Sequence, residues 1–328
     1  MATISLCMIA RNEEKFIAAA INSVRNFVDE IIVVDTGSID NTAELCRQLG
    51  ASVFHFKWVD DFSAARNFAV SKASSDWVLI LDADEEIHPL EVPKLKQLSD
   101  LQCDAVVFTQ KNFSNTPGFG FVTQPSRGFK GFFPSFITRM FRNGRGIVFE
   151  GPVHESVDSS LKKIGAKAAF TPEVSINHYQ ELKGEQYLRE KQLKYAVIIE
   201  KNLDRIPNKS KAYADLGIIC YRYKQDYASA AKWFNKSLEI EPNNAFVIND
   251  LAATHIALND YKAAIDCFGR SISIRPEAST FYNIGLLQER LGDKEAASIA
   301  YSEAARLGHA RAGELVERAK ALHGGNKK

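Results

Sequence analysis

The chain has 328 residues, 45% hydrophobic and 25% charged, the proportions of an ordinary globular protein long enough for two domains. Its 41 Lys and Arg against 40 Asp and Glu leave a formal charge of +1, which removes any global electrostatic case for nucleic acid or an anionic membrane. No apolar run approaches the roughly 18 residues of a membrane span. The apolar start at 4–10 runs into Arg11, Glu13 and Glu14 rather than a cleavage site, and five scattered cysteines without a Cys-x-x-Cys pair argue against zinc or a disulfide frame. A cytoplasmic chain with reduced thiols is expected.

In chain order, residues 3–9 alternate as a strand, and a helical face opens at Arg11 with Phe16, Ile17, Ala20, Ile21 and Val24. A second strand covers 30–35. Thr36-Gly37-Ser38 then turns the chain, and Asn41-Thr42-Ala43-Glu44 has the form of a capping box. A strand at 51–56, a helix at 63–73 and a strand at 77–81 complete the alternation, which predicts a doubly wound, mostly parallel sheet.

The 77–81 strand ends in Asp82-Ala83-Asp84-Glu85-Glu86. Ligands of open α/β sheets bind beyond the carboxyl ends of the strands, so this cluster points into a site. Asp82 and Asp84, two apart, share a side if the strand geometry continues, and hard oxygen ligands suit Mg²⁺ or Mn²⁺ carrying a phosphate. Asp35 closes the second strand on the same sheet edge, where it can accept from a uracil N3–H or a ribose hydroxyl, or simply cap the turn that follows. Arg66, on the preceding helix, can stack on a base or pair with a carboxylate.

Four ordered motifs, Cys7-Met8-Ile9-Ala10-Arg11-Asn12-Glu13-Glu14, Val33-Val34-Asp35-Thr36-Gly37-Ser38, Trp58-Val59-Asp60-Asp61-Phe62-Ser63-Ala64-Ala65-Arg66-Asn67 and Leu81-Asp82-Ala83-Asp84-Glu85, together resemble family 2 glycosyltransferases of the GT-A fold. The resemblance implies a UDP-sugar held along Ala10, Arg11, Glu13, Asp35, Arg66, Asp82 and Ala83, with Asp84 on a Mn²⁺ or Mg²⁺ ion. It places an acidic base after the strand that follows the metal motif, which favours Glu155 over Glu150. His154 orients that base, touches the diphosphate or is structural. The resemblance also makes His178 the candidate third metal ligand.

Further expectations are a helix at 90–101, a strand at 105–111 and a strand at 137–141 carrying Arg139 and Arg142 as surface or phosphate-facing cations. Residues 113–136, with Pro117, Gly118, Gly120, Phe119, Phe121, Phe129, Phe132 and Phe133, read as a long irregular loop. That loop either walls the acceptor site or only pins itself to the core. A last short strand is expected at 173–179.

Helices resume at 185. Ala230, Ala264 and Ala297 stand 34 and 33 apart, as do Phe234, Phe268 and Tyr301, a period that resembles the tetratricopeptide repeat. The predicted organisation is a GT-A domain at 1–184, a helical connector at 185–209, an all-α repeat domain at 210–323 and a flexible tail at 324–328. Such arrays present a concave face to a peptide or another subunit, which includes a second copy of the chain. The combination resembles bacterial peptide glycosyltransferases and lipopolysaccharide-core glycosyltransferases, and the absence of a Gln-x-x-Arg-Trp segment favours one sugar per encounter. The rival reading is an inactive sugar-nucleotide-binding adaptor that works through its repeats.

Overall fold

A computed structural model describes residues 2–117 and 120–324. The chain divides into two compact units, Met1–Lys191 and Gln192–Lys328. Gly118 and Phe119, and residues 325–328 of the expected tail, lie outside the described residues.

In the first unit, β1 (Ile4–Ala10), β2 (Glu30–Asp35), β3 (Ser52–His55) and β4 (Trp77–Ile80) form a parallel block, with helices α1 (Ile17–Val24), α2 (Thr42–Gln48) and α3 (Phe62–Val70) between them. Period-two alternation sorts side chains to both faces. Ile4, Leu6, Met8, Trp77 and Leu79 pack with Ile17 and Ile21 of α1 on one side, while Cys7, Ile32, Val34, Val78 and Ile80 pack with Ala69 of α3 on the other. Burial of both faces explains why β1, β2 and β4 read as nearly continuous apolar runs, whereas β3, at the sheet edge, is half exposed.

The sheet does not stay parallel. Beyond β5 (Glu85–Ile87) and the short α4 (Leu95–Leu98), it is completed by β6 (Ala105–Ser114), β7 (Val122–Ser126), β8 (Phe129–Arg142) and β9 (Ala168–His178). The order is β3-β2-β1-β4-β8-β6-β9-β5, with β7 on β8, and β8 runs antiparallel to β4 and β6. The expected loop at 113–136 is therefore corrected to the end of β6 and a β7–β8 hairpin. Three of its aromatics, Phe113, Phe129 and Phe132, form a buried cluster with Tyr179, while Phe136 is exposed. The expected helix at 90–101 shrinks to a 3₁₀ turn, Val92–Lys94, and α4.

Two helix starts also differ. Asn12 is left-handed, at φ 57°, so residues 11–16 turn and α1 begins only at Ile17. The capping box does not form. Instead Asp40 Oδ1 accepts from Thr42 N at 3.0 Å and from Thr42 Oγ1 at 2.5 Å, while Glu44 pairs with Arg47.

A short helix, α5 (Asp158–Lys163), precedes β9, and α6 (Glu185–Asn202) spans the division between the units. The second unit continues as α7 (Lys209–Ile219), extended by a π-helical turn at Cys220–Lys224, then α8 (Tyr227–Ile240), α9 (Ala245–Ala257), α10 (Tyr261–Ile274), α11 (Ala278–Arg290), α12 (Lys294–Arg306) and α13 (Ala312–Gly324). Asn208, Asp226, Asn244, Asp260 and Asp293 cap α7, α8, α9, α10 and α12 through the backbone N–H three residues on. Small residues face the aromatics of the paired helix. A methyl on Gly217 would lie 2.6 Å from the Phe234 ring, and one on Gly285 2.5 Å from the Tyr301 ring.

Candidate active site

The parallel strands end together. β1 lies between β2 and β4, its Ala10 in register with Asp35, so Ala10, Asp35 and the Asp82–Glu85 turn share the carboxyl edge at the point where the strand order reverses. Asp35 is buried and does cap its turn, Oδ1 accepting from Ser38 N at 3.0 Å, while Oδ2 lies 3.2 Å from Nδ1 of the exposed His55. The 11–14 turn is tied to that loop by Asn12 N donating to Ser38 Oγ and Ile39 N donating to Asn12 Oδ1. Ala10 and Ala83 are buried, and Arg11 is exposed.

Arg66 is buried and pairs with two carboxylates. Its Nε donates to Glu155 Oε1 at 2.5 Å and its Nη2 to Asp82 Oδ1 at 2.7 Å. Local packing explains the reach across 89 residues. α3 is laced to the 149–155 segment by Asn67, which donates to Phe149 O and accepts from Phe149 N, and by Phe62 N donating to Pro152 O. Glu150, from the same segment, is instead held by Lys163 of α5, with Nζ 2.5 Å from Oε1. Of the two candidate bases, Glu155 joins the cluster. His154 is exposed with φ 54°.

Arg139, expected as a surface or phosphate-facing cation, is corrected to a buried one. Its Nη2 donates to Asp82 Oδ2 at 2.8 Å and to Glu85 Oε1 at 2.7 Å. Arg142 lies over the Trp77 ring and donates to the Cys103 and Leu101 carbonyls. Glu85, fully buried, also accepts from Gln110 Nε2 and, through Oε2, from Asp82 N. Burial raises Asp82, but Arg139 and then Arg66 outweigh it and hold the carboxyl well below the ordinary range. Asp82 keeps 30% of its side chain exposed above arginines at 7% and 6%, so it is the face of this network a ligand can meet. Arg66 Nη1 and Arg139 Nε are buried without a hydrogen-bond partner among the described residues.

Strand register delivers His178. β5 pairs antiparallel with β9, setting Glu85 opposite His178, and Tyr179 N donates to Asp84 O. Asn112 gives its Nδ2 protons to Phe133 O and Ser135 Oγ, so its Oδ1 takes the proton on His178 Nδ1 at 2.8 Å. That bond aims Nε2 at Asp84 Oδ2, 3.7 Å away, the arrangement that orients a ligating imidazole. Burial opposes the charge on Asp84, yet His178 and Lys183 hold its carboxyl below the ordinary range. Burial likewise opposes protonation of His178, and Asp84 and then Glu85 raise it.

Lys183 was not anticipated. Its Nζ lies 2.6 Å from Glu13 Oε1 and 3.1 Å from Asp84 Oδ2. Burial raises Glu13 and Lys183 lowers it, with the net shift upward. Among the described residues no three His, Cys, Asp or Glu side chains are grouped to hold a metal. Asp84 and His178 are the two side chains here that would offer ligands to a divalent ion. Glu13, Asp82, Asp84, Glu85 and Glu155 face Arg66, Arg139 and Lys183, which leaves two negative charges when His178 is neutral, as a metal ligand must be, and one when it is protonated.

Fold and site together define an α/β domain with its charged cluster at the switch point of the sheet, followed by a helical repeat array. Residues 5–155 match the model of glycosyl transferase family 2, and residues 210–244, 247–277 and 278–307 match the tetratricopeptide repeat. The chain thus carries a glycosyl transferase family 2 domain followed by tetratricopeptide repeats. It is 32% identical over 314 residues to a TPR repeat-containing protein of Synechococcus elongatus, covering 93% of this chain and 66% of that protein. It is 47% identical over 87 residues to an uncharacterized glycosyltransferase of Rickettsia felis, covering 26% of this chain and 30% of that one. With the SPbeta prophage-derived glycosyltransferase SunS of Bacillus subtilis it shares 29% identity over 161 residues, covering 47% of this chain and 34% of SunS. This chain therefore matches just under two thirds of the cyanobacterial relative and about a third of the other two. No helix among the described residues is long and apolar enough to cross a membrane.

Proposed function

We propose that this chain is an inverting, non-processive glycosyltransferase that moves one sugar from a UDP-sugar to a peptide or surface-glycan acceptor. The observation that carries the reading is Arg66, which joins Asp82 of the donor-side turn to Glu155, the candidate base, in one buried bridge. Asp35 accepts from the base, and Asp82, clamped from beneath by two arginines, accepts from the ribose or the sugar. Asp84 and His178 hold Mn²⁺ or Mg²⁺, which when bound supplies positive charge beside the diphosphate. The acceptor attacks the anomeric carbon as the bond to the diphosphate breaks, through an oxocarbenium-like state. Glu155 takes the acceptor proton on Oε2, since Arg66 holds Oε1. Juxtaposing both reactants supplies much of the acceleration. The repeats are the candidate surface for a protein acceptor or a second subunit.

The test is release of UDP from a panel of UDP-sugars with Mn²⁺, Mg²⁺ or chelator, comparing wild type with Asp84→Asn. Metal-dependent release from one donor, lost in the variant, supports the reading and names the sugar. Absence of both hydrolysis and metal-dependent UDP binding would overturn it in favour of an adaptor.

A further inference from the structure

Lys183 ends the 3₁₀ turn Gln180–Lys183 after β9, and its side chain is 7% exposed. A buried ammonium needs partners, and this one has carboxylates on two sides with the Tyr187 and Phe16 rings at 5.2 and 5.7 Å. Its place is built, but its grip is uneven. Glu13 holds it at 2.6 Å, whereas the 3.1 Å to Asp84 Oδ2 is longer than any contact Arg66 or Arg139 makes with its carboxylates. Asp84 Oδ2 is also the oxygen nearest His178 Nε2, so the ammonium sits on the ligand atom a divalent ion needs. An ion about 2.1 Å from that oxygen and an ammonium on the same oxygen repel strongly.

Charge supplies the rest. One divalent ion only brings the cluster to neutrality, and a nucleoside diphosphate adds further negative charge. Arg66 and Arg139 are each locked between two carboxylates. Lys183, on a flexible stem, can exchange one partner for another.

Resting on the nucleotide-sugar reading above, we propose that Lys183 is a donor-binding residue that shields the cation site. Without donor its ammonium occupies Asp84. With donor it yields Asp84 to the divalent ion and, still anchored by Glu13, turns its hydrogens to the diphosphate oxygens. Metal alone then binds poorly, and nucleotide and metal enter together.

The experiment is calorimetric titration of the full chain with three probes: Mn²⁺ alone, UDP in Mn²⁺, and UDP in chelator. Wild type is compared with Lys183→Met and Lys183→Gln, the second read in the same way should the first not fold. The expected result is a pair of opposite shifts. UDP binding in Mn²⁺ weakens about tenfold or more and any binding in chelator disappears, while Mn²⁺ alone binds about tenfold tighter. Shifts in the same direction, or in only one of the two affinities, or in neither, overturn the proposal while leaving the nucleotide-sugar reading intact. Failure of wild type to bind UDP in every condition overturns that reading itself.

Discussion

Arg139→Met tests the buried charge network most directly. The substitution keeps an unbranched side chain in β8 but removes the guanidinium that Asp82 Oδ2 meets at 2.8 Å and Glu85 Oε1 at 2.7 Å. Asp82 retains Arg66, whereas Glu85, fully buried, keeps only Gln110 Nε2 and the Asp82 N–H. Removing one partner of a buried pair destabilises by about 3–5 kcal/mol. Glu85's remaining bonds, and the loss of an Arg139 Nε that has no hydrogen-bond partner, place the value near about 3 kcal/mol. With a urea slope of about 2 kcal/mol/M, the midpoint falls by about 1.5 M. Unfolding is followed by fluorescence in a Trp233→Phe background, so that Trp58 and Trp77 report the Met1–Lys191 unit alone. Adding Glu85→Gln to Arg139→Met removes the orphaned charge, and the pair of substitutions then destabilises by about 1–3 kcal/mol less than the sum of the singles. A loss below about 1 kcal/mol for Arg139→Met, or simple additivity, would refute the network as described.

Three further outcomes are expected. Glu155→Gln lowers sugar transfer by about 10²–10⁴ while sparing UDP affinity, and Glu150→Gln, whose carboxylate is held by Lys163, lowers it by far less; the reverse order in a transfer assay would reassign the base. In the repeats, Gly217→Ala and Gly285→Ala force a methyl against the Phe234 and Tyr301 rings and each destabilise by about 1–3 kcal/mol, whereas Gly269→Ala, with nothing within 4 Å, stabilises its helix; melting temperatures for Gly217→Ala and Gly285→Ala equal to or above that of wild type would contradict the packing. Acid stability supplies the last. Asp82 has a folded pKa below its unfolded value, so its stabilisation is fully present above about pH 4 and is lost as the pH falls toward the folded value. Melting temperatures from pH 5 to 2 therefore fall more steeply for wild type than for Asp82→Asn, and equal slopes would contradict the arginine clamp.

Local pattern was enough where one short stretch states its own environment. Apolar runs located β2 and β4 because burial on both faces leaves no polar alternation, and a spacing of 34 and 33 residues located helix pairs that repeat one packing problem. Asp82 and Asp84 stood out as paired carboxylates at a strand end, the four ordered motifs carried the family, and Glu155 was pointed to only by that resemblance. The 113–136 stretch reads as a loop because its Gly and Pro residues mark turns in isolation, and only the pairing of β7 with β8 and of β8 with β6 makes it a hairpin. Gly131 shows the constraint, since a Cβ there would strike Val122 O.

By itself, then, the sequence determined an α/β transferase-like domain joined to helical repeats and the carboxylates at its strand ends, because periodicity and motif are properties of neighbouring residues. Tertiary structure alone decided which cations those carboxylates meet. Arg66, Arg139 and Lys183 come from α3, β8 and the turn after β9, and nothing local distinguishes them from surface cations. It also separated Glu155 from Glu150 and set His178 beside Asp84 through the β5–β9 register. The physical reason is that a buried charge is tolerated only where the fold brings its partner, and that partner lies tens of residues away in the chain.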